Sequence, residues 1–410
     1  MLSPASSRLE AAGESPKRDP SSGRLSLFAF FLSGISVSFL GAILLAWRYH
    51  LGEGFTEAGN HFLSLAAGFV LSIGVAHVLM SRKGAKFVLV VANAVTCAGF
   101  LFLAFSSPPA PARWRFAGLL WIGVGAGLLN TAMFQVAAPF YQRDRAAINI
   151  AGVLFGSGCV VTALLVAGTY YVYTVPSILI LLALIPGFSA GLYAKSRLDA
   201  GGVQRGVEFF QLWREFRNPA MALFGLLLFF QFGNEWSLAG WLPLFLTRRL
   251  GISPETSLLI LALYWAALMV GRILSQLVMG RLKGGALLLG SILSALLGTI
   301  VLASTNNRFG AVMGVLFVGA GYASVYPLVV QKIGHRFPEY RPGLYNSLFS
   351  VAITGGLLAP WSLGFFANAW GIQAVMILPA LGTCMVFVLV LLILLESKLS
   401  SLAEPKESGS

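Results

Sequence analysis

Charged side chains are scarce in this chain. Only 15 of its 410 residues are Asp or Glu, and charged residues of both signs make up 10% of the sequence, against about 25% in an average soluble protein. Hydrophobic residues make up 57%, and the mean hydropathy is +0.81. This composition excludes a water-soluble globular fold and predicts a membrane protein.

Cysteine and histidine are also few. The three cysteines all fall inside predicted membrane spans, so a disulfide framework is not expected. The four histidines are scattered near span ends, without the spacing of metal ligands. Because the sequence also lacks a phosphate-binding loop and a pair of carboxylates within the membrane, we expect no enzyme and no cofactor. A proton gradient is the energy source we consider.

Long apolar runs separated by short polar loops are abundant. A membrane span needs roughly 20 apolar residues to cross about 30 Å of hydrocarbon. The runs are too long and too uniform for barrel strands, so we expect an all-α membrane protein with twelve transmembrane helices. Their predicted cores are 25–47, 59–80, 87–105, 116–140, 146–168, 175–193, 220–246, 257–280, 286–305, 310–330, 343–367 and 372–395.

The second half of the chain repeats features of the first. Asn149 and Gly158 recur 197 positions later as Asn346 and Gly355. Further matches are Gly74 with Gly271 at the same offset, and Gly125 and Gly127 with Gly319 and Gly321 at an offset of 194. Chance is the alternative, because the chain has 46 glycines. Duplication is favoured and predicts two pseudo-symmetric six-helix bundles with a binding site between them.

The predicted division of the chain follows from these runs and from the polar stretches between them. We expect a disordered tail at 1–24, helical bundles at 25–195 and 219–396, and a second tail at 397–410. The linker at 196–218 is expected to carry an amphipathic helix on the membrane surface.

The net charge of +13 does not indicate nucleic acid as a partner, because the basic residues other than Arg272 are placed in loops and tails. Most of them lie on the side that holds both termini, which predicts cytoplasmic termini and contact with anionic lipid. We expect a monomeric, multi-pass protein of the plasma membrane, in particular a bacterial inner membrane.

Two loops resemble a motif of the major facilitator superfamily. The first copy reads His77, Leu79, Ser81, Arg82, Gly84 and Lys86, and the second reads Gly271, Arg272, Gly280, Arg281 and Gly284. Ser81 stands where the family usually has Asp. With twelve predicted spans and a duplicated half, the chain is identified as a member of this superfamily. The resemblance implies transport by alternating access.

Within the superfamily the chain is similar to the fucose permease branch. The residues that carry this similarity are Glu235, Trp236, Trp241, Leu242, Pro243, Asn149, Phe155, Gly156, Gly158, Tyr326 and Pro327. The similarity implies a sugar as the substrate. That branch ties acidic residues in the first and fourth spans to proton coupling. Here the first span has no acid and Asn130 occupies the fourth-span position, so this mechanism is not carried over.

Glu235 is the one carboxylate predicted well inside a span. An ionised carboxylate at bilayer depth costs roughly 2.5–3.5 kcal/mol, so it either faces polar partners or holds a proton. We therefore predict that Glu235 couples transport to protons. The alternative is a structural Glu fixed by hydrogen bonds.

Uncharged polar and aromatic side chains on other spans are candidates for substrate binding. Amides offer a donor and an acceptor, which suits a polyol, and aromatic faces stack on sugar rings. The candidates are Asn130, Gln135, Asn149, Gln231, Asn234, Trp236, Tyr322, Tyr326, Asn346 and Trp361. The alternative for each is helix packing or an interhelical hydrogen bond.

Five residues are predicted to act in gating. Gly240 and Pro243 weaken the seventh span and favour bending, although close packing is the alternative. Arg82 belongs to the loop motif. Arg272 lies within a span, where it either snorkels to the cytoplasm or forms an ion pair, with Asp144 as a candidate partner.

These features together predict a secondary transporter of a small polar solute, a sugar or related polyhydroxyl compound. A uniporter and a drug or metabolite exporter remain alternatives of the same class. A receptor or lipid-handling protein that does not transport is the alternative of another class.

Overall fold

The computed structural model describes residues 20–47, 54–141, 145–196, 198, 217–279, 281, 284–336 and 342–403. Within these ranges the regular structure is helical throughout, and eleven helices follow one another. They are α1 (Pro20–Ala46), α2 (Phe55–Phe105), α3 (Ala112–Tyr141), α4 (Arg145–Thr169), α5 (Val175–Lys195), α6 (Pro219–Leu250), α7 (Pro254–Val278), α8 (Gly284–Ser304), α9 (Arg308–Arg336), α10 (Pro342–Trp370) and α11 (Ala374–Ala403).

Ten of these helices are long and apolar enough to cross a membrane. The exception is α6, which carries Gln231, Asn234 and Glu235 near its middle. Helix α1 begins at Pro20, inside the stretch predicted as a tail, and α11 continues to Ala403, beyond the predicted end of the second bundle. The amphipathic linker helix falls almost wholly outside the described residues.

Helix α2 contains a break. Its 51 residues would extend about 76 Å at 1.5 Å per residue, more than twice the hydrocarbon thickness. Gly84 interrupts it with φ 82° and ψ 162°, a conformation open to glycine. The parts before and after the break pack on the same region of α3, since Gly68 lies against Leu120 and Gly99 against Ile122. The two parts therefore both run along α3, on different sides of it, and they coincide with the predicted second and third spans.

The packing contacts of α3 recur in α9. A Cβ added at Gly123 would collide with backbone atoms one helix away, and the same holds for Gly125, Gly319 and Gly321. The neighbours are Leu65 and Phe69 for Gly123, Tyr264 and Leu268 for Gly319, Ala92 and Thr96 for Gly125, and Ser291 and Ala295 for Gly321. Between the two halves, the corresponding glycines are 196 positions apart in the sequence and the residues that they contact are 199 positions apart. This corrects the offset of 194 taken from the sequence, because spacing alone does not identify which glycine faces which helix.

The chain has two parts, a first half (α1–α5) and a second half (α6–α11). Helices from these two parts meet at one end of the molecule, which we call the closed end. The second halves of α1, α6 and α10 converge there with the first turns of α2. A Cβ at Gly41 would lie 2.5 Å from the carbonyl oxygen of Ala239, and one at Gly59 would lie 2.7 Å from that of Trp361. Glycine therefore allows the backbones to approach this closely.

Candidate functional site

A buried ion pair lies between α6 and α7. Glu235 Oε1 and Arg272 Nη2 are 3.7 Å apart, and the two side chains are 6% and 11% exposed. The hydroxyl of Tyr264 donates a hydrogen bond to the backbone carbonyl of Glu235 at 3.3 Å. Pairing offsets part of the cost of placing two charges away from water.

Arg272 also links α7 to α4. Its Nη1 donates to the carbonyl oxygen of Gly152 at 3.0 Å. A Cβ at Gly152 would lie 2.9 Å from that nitrogen, so glycine is what permits the approach. One turn further along, Gly156 of α4 faces Met269 of α7. Glu235, Arg272 and the α4 backbone thus form one connected unit across the two parts of the chain.

Two amides flank this unit. Gln231, one turn before Glu235, is 1% exposed, and neither its Oε1 nor its Nε2 has a hydrogen-bond partner among the described residues. Asn234 is turned toward α11, because a Cβ at Gly382 would collide with its amide oxygen. Asn234 Nδ2 likewise has no hydrogen-bond partner among the described residues, so both amides keep unused hydrogen-bonding capacity beside the ion pair.

A cleft with a cavity volume of about 40 Å³, within about 500 Å³ of space that includes open solvent, lies between helices of the first and second halves of the chain. Its walls come from α1, α2, α4, α6, α7 and α10, and its aromatic residues are Phe62, Phe155, Trp236 and Trp265. None of the described lining side chains carries a formal charge. Gly240 also lines the cleft, and its backbone packs against the ring of Phe62.

Of the candidates for substrate binding, Trp236 lines the cleft. Three aromatic candidates of the second half instead contact neighbouring helices. Tyr322 shares a hydrogen bond of 2.7 Å with Thr383, Tyr326 has its ring centroid 5.6 Å from that of Phe232, and Trp361 donates to Asn60 at 3.3 Å. These contacts match the helix-packing alternative given for each of them.

The remaining amide candidates lie on α3, α4 and α10. Asn130 and Gln135 are partly buried on α3 and are not among the lining residues. Asn149 and Asn346 lie in α4 and α10, but their side chains fall outside the described part of the chain.

The gating candidates have different surroundings. Arg82 is exposed two residues before the break at Gly84. Pro243 lies inside α6, which stays helical to Leu250. Asp144 lies outside the described residues, and the described partner of Arg272 is Glu235.

Sequence reasoning missed two polar atoms in the cleft. Ser38 and Trp265 both line it, and both Ser38 Oγ and Trp265 Nε1 are buried without a hydrogen-bond partner among the described residues. A single Ser or Trp in an apolar span carries no signal in the sequence, because such residues also occur in lipid-facing and core positions.

Comparison with known proteins gives the family. The profile of the Major Facilitator Superfamily matches residues 26–360. An uncharacterized MFS-type transporter of Yersinia pestis is 24% identical over 343 residues, which cover 83% of this chain and 87% of that protein. The glucose/mannose transporter of Bacillus subtilis is 24% identical over 265 residues, which cover 60% of this chain and 64% of that protein.

Solved structures share the fold. A bacterial homologue of the human lysosomal transporter Spinster, in an inward-facing conformation, has a TM-score of 0.71 and 13% identity, covering 92% of this chain and 97% of that one. The E. coli fucose:proton symporter has a TM-score of 0.64 and 16% identity, covering 91% and 98%. At such identities the likeness concerns the fold alone.

Proposed function

The chain belongs to the major facilitator superfamily, a family of multi-pass membrane transporters and not of enzymes, and on that premise we propose that it carries a sugar or related polyhydroxyl solute by alternating access. The observation that carries this proposal is the cleft between helices of both parts of the chain. A site at such an interface opens to one side or the other when the two parts rock against each other. A relative named as a glucose/mannose transporter supports the substrate class.

The proposed topology has twelve spans, two bundles at 25–195 and 219–396, and both termini in the cytoplasm. The break at Gly84 supports the division of α2 into two spans. Helix α6, with 32 residues, extends about 48 Å, which is enough to cross the bilayer. With this orientation the closed end faces outward, and the proposed conformation is inward-facing. The protein is proposed to act as a monomer in a bacterial inner membrane.

The proposed coupling runs through Glu235. When ionised, Glu235 holds Arg272 between itself and the carbonyl of Gly152. Protonation removes the negative charge and leaves Arg272 bound to the α4 backbone only. The contact between α6 and α7 is then weakened while the contact between α7 and α4 remains. Proton binding therefore changes the relative stability of the inward-open and outward-open conformations.

The test is transport by the purified protein in proteoliposomes. Radiolabelled glucose, mannose, galactose and fucose are each tested for counterflow without a gradient, and then for accumulation driven by an imposed pH gradient. We expect counterflow of at least one sugar and accumulation that collapses with a protonophore. Binding without counterflow would instead indicate a receptor, and counterflow without accumulation would indicate a uniporter.

Export of an amphipathic metabolite or drug is a second candidate, favoured by the predominantly apolar lining of the cleft. Such a lining suits a solute with few hydroxyl groups. An amphipathic compound that exchanges in the same assay while none of the four sugars does would favour this candidate.

A further inference from the structure

Ser38 has a hydroxyl that its own helix does not satisfy. Serines within helices usually donate to a carbonyl three or four residues earlier. Ser36, on the same helix, does so and bonds to Leu32 at 2.9 Å. For Ser38 the corresponding carbonyl is that of Gly34, which accepts from the Cys159 thiol at 3.6 Å. Ser38 Oγ lies beside the weakly accepting Cys159 thiol, forms no hydrogen bond of ordinary geometry with the described residues, and lines the cleft.

The second unsatisfied atom reaches the same cleft from the other part of the chain. Trp265 of α7 is 3% exposed, and its Nε1 has no partner in the described part of the chain. Its ring is held edge-on by Phe155 of α4, with centroids 6.3 Å apart and an interplanar angle of 76°. Buried polar atoms are nearly always hydrogen-bonded, so a fixed, buried and unpaired donor in a cleft wall indicates a ligand.

The surroundings define what kind of ligand fits. Trp236 presents a partly exposed ring in the cleft wall, backed by Gly356, where a Cβ would lie 3.0 Å from the indole. The described lining residues carry no charge, and Arg272 directs its two terminal nitrogens to Glu235 and Gly152, with Nε alone left without a partner in the described part of the chain. An anionic solute would therefore lose its hydration without gaining a cation.

We infer that Ser38 and Trp265 are the specificity-determining residues of the cleft, and that they bind the polar edge of a neutral, ring-shaped solute whose apolar face lies on Trp236. Trp265 Nε1 donates only, so it contacts an acceptor oxygen, whereas the Ser38 hydroxyl donates or accepts. The inference rests on the proposed transport function. It adds which atoms recognise the solute, and it excludes sugar acids and sugar phosphates.

The test compares Ser38→Ala and Trp265→Phe with two matched controls in the full-length protein. Ser36→Ala removes a hydroxyl that its own helix satisfies, and Trp121→Phe changes an indole that is 52% exposed. The counterflow KM is measured for glucose, mannose, galactose and fucose, and for gluconate and glucose 6-phosphate. Thermal shift in detergent reports binding of the same compounds separately.

We expect each cleft variant to raise the KM of the transported sugar about tenfold, the value of one hydrogen bond, with little change in the maximal rate. The controls should match the wild type, and the two anions should neither exchange nor bind. A series of monodeoxy sugars adds a functional cycle. For the deoxy sugar that lacks the hydroxyl bound by Ser38, the counterflow KM of the wild type and that of Ser38→Ala should be nearly equal.

The outcomes separate the two proposals. If the wild type exchanges a sugar while both cleft variants keep its KM, or if gluconate or glucose 6-phosphate exchanges as well as glucose, the recognition by Ser38 and Trp265 is overturned and transport stands. If the wild type binds a neutral sugar in a manner that depends on Ser38 and Trp265 but exchanges none, transport is overturned and the recognition stands. A wild type that neither exchanges nor binds any of these compounds overturns both.

Discussion

The carboxylate of Glu235 lies 3.7 Å from the guanidinium of Arg272, with both side chains largely shielded from solvent. The same guanidinium bonds to the backbone of α4 at Gly152. A charge on α6 is therefore connected, through one side chain of α7, to a helix of the other part of the chain. Its consequences can be tested by substitution.

Replacing Glu235 by Gln should separate exchange from coupling. The variant keeps the size and polarity of the side chain but cannot ionise, so we expect sugar counterflow to persist while accumulation driven by a pH gradient is lost. The matched control is Glu255→Gln, since Glu255 is exposed at the start of α7. Gradient-dependent accumulation by Glu235→Gln would disprove the coupling role.

Replacing Arg272 by Met should destabilise the protein more than the double replacement Glu235→Gln with Arg272→Met. Removing one member of a buried pair leaves an uncompensated charge and costs about 3–5 kcal/mol, whereas replacing both is often nearly neutral. The free energy of unfolding in detergent, followed by tryptophan fluorescence, completes the double-mutant cycle. Additive losses would mean that the two side chains do not interact.

Gly158→Ala should lower stability, whereas Gly168→Ala on the same helix should not. A Cβ at Gly158 would collide with the backbone of Phe31 on α1, while nothing lies within 4 Å of one at Gly168. Overpacking costs about 1–3 kcal/mol, and Ala is the better helix former at an open position. Thermal unfolding in detergent checks this. Equal melting temperatures would show that α1 and α4 do not pack this closely.

Arg115→Gln should destabilise the start of α2 and α3, and Arg113→Gln should have little effect. Arg115 is 3% exposed, pairs with Glu57 at 3.0 Å and donates to Ala110 at 3.0 Å. Hydrogen bonds to charged groups contribute about 1.5–3 kcal/mol. Because Glu57 is partly exposed to solvent, we expect a loss of stability near the lower of these values. Arg113 is exposed. Hydrogen exchange of the first turns of both helices measures the effect, and equal protection in the two variants would contradict it.

The fold class could be predicted from the sequence because the bilayer imposes it. Apolar runs of spanning length must satisfy their backbone groups internally, which leaves helices. The superfamily assignment, made from the predicted spans, the duplicated half and the loop motifs together, is confirmed by the family profile. The register of the duplication could not be predicted as well, since the contacts of Gly123 and Gly319 depend on helix rotation, which glycine spacing does not report.

The site could be predicted only in part. Glu235 and Arg272 stood out because a charge within a span is rare, and both belong to the buried pair. The polar aromatic candidates were harder to assign. Tyr322 looks equally suited to a cavity or to a helix contact until the position of Thr383 is known.

The sequence by itself determined that the chain crosses a membrane as helices, that its family is one of transporters, and that Glu235 is an unusual charge within a span. Composition and hydropathy suffice for this, because they act through the solvent that surrounds each segment. Only the tertiary structure decided that Arg272 is the partner of Glu235 and that Ser38 and Trp265 share one cleft. Such pairings depend on how helices distant in the chain are rotated and packed, and no local pattern encodes that rotation.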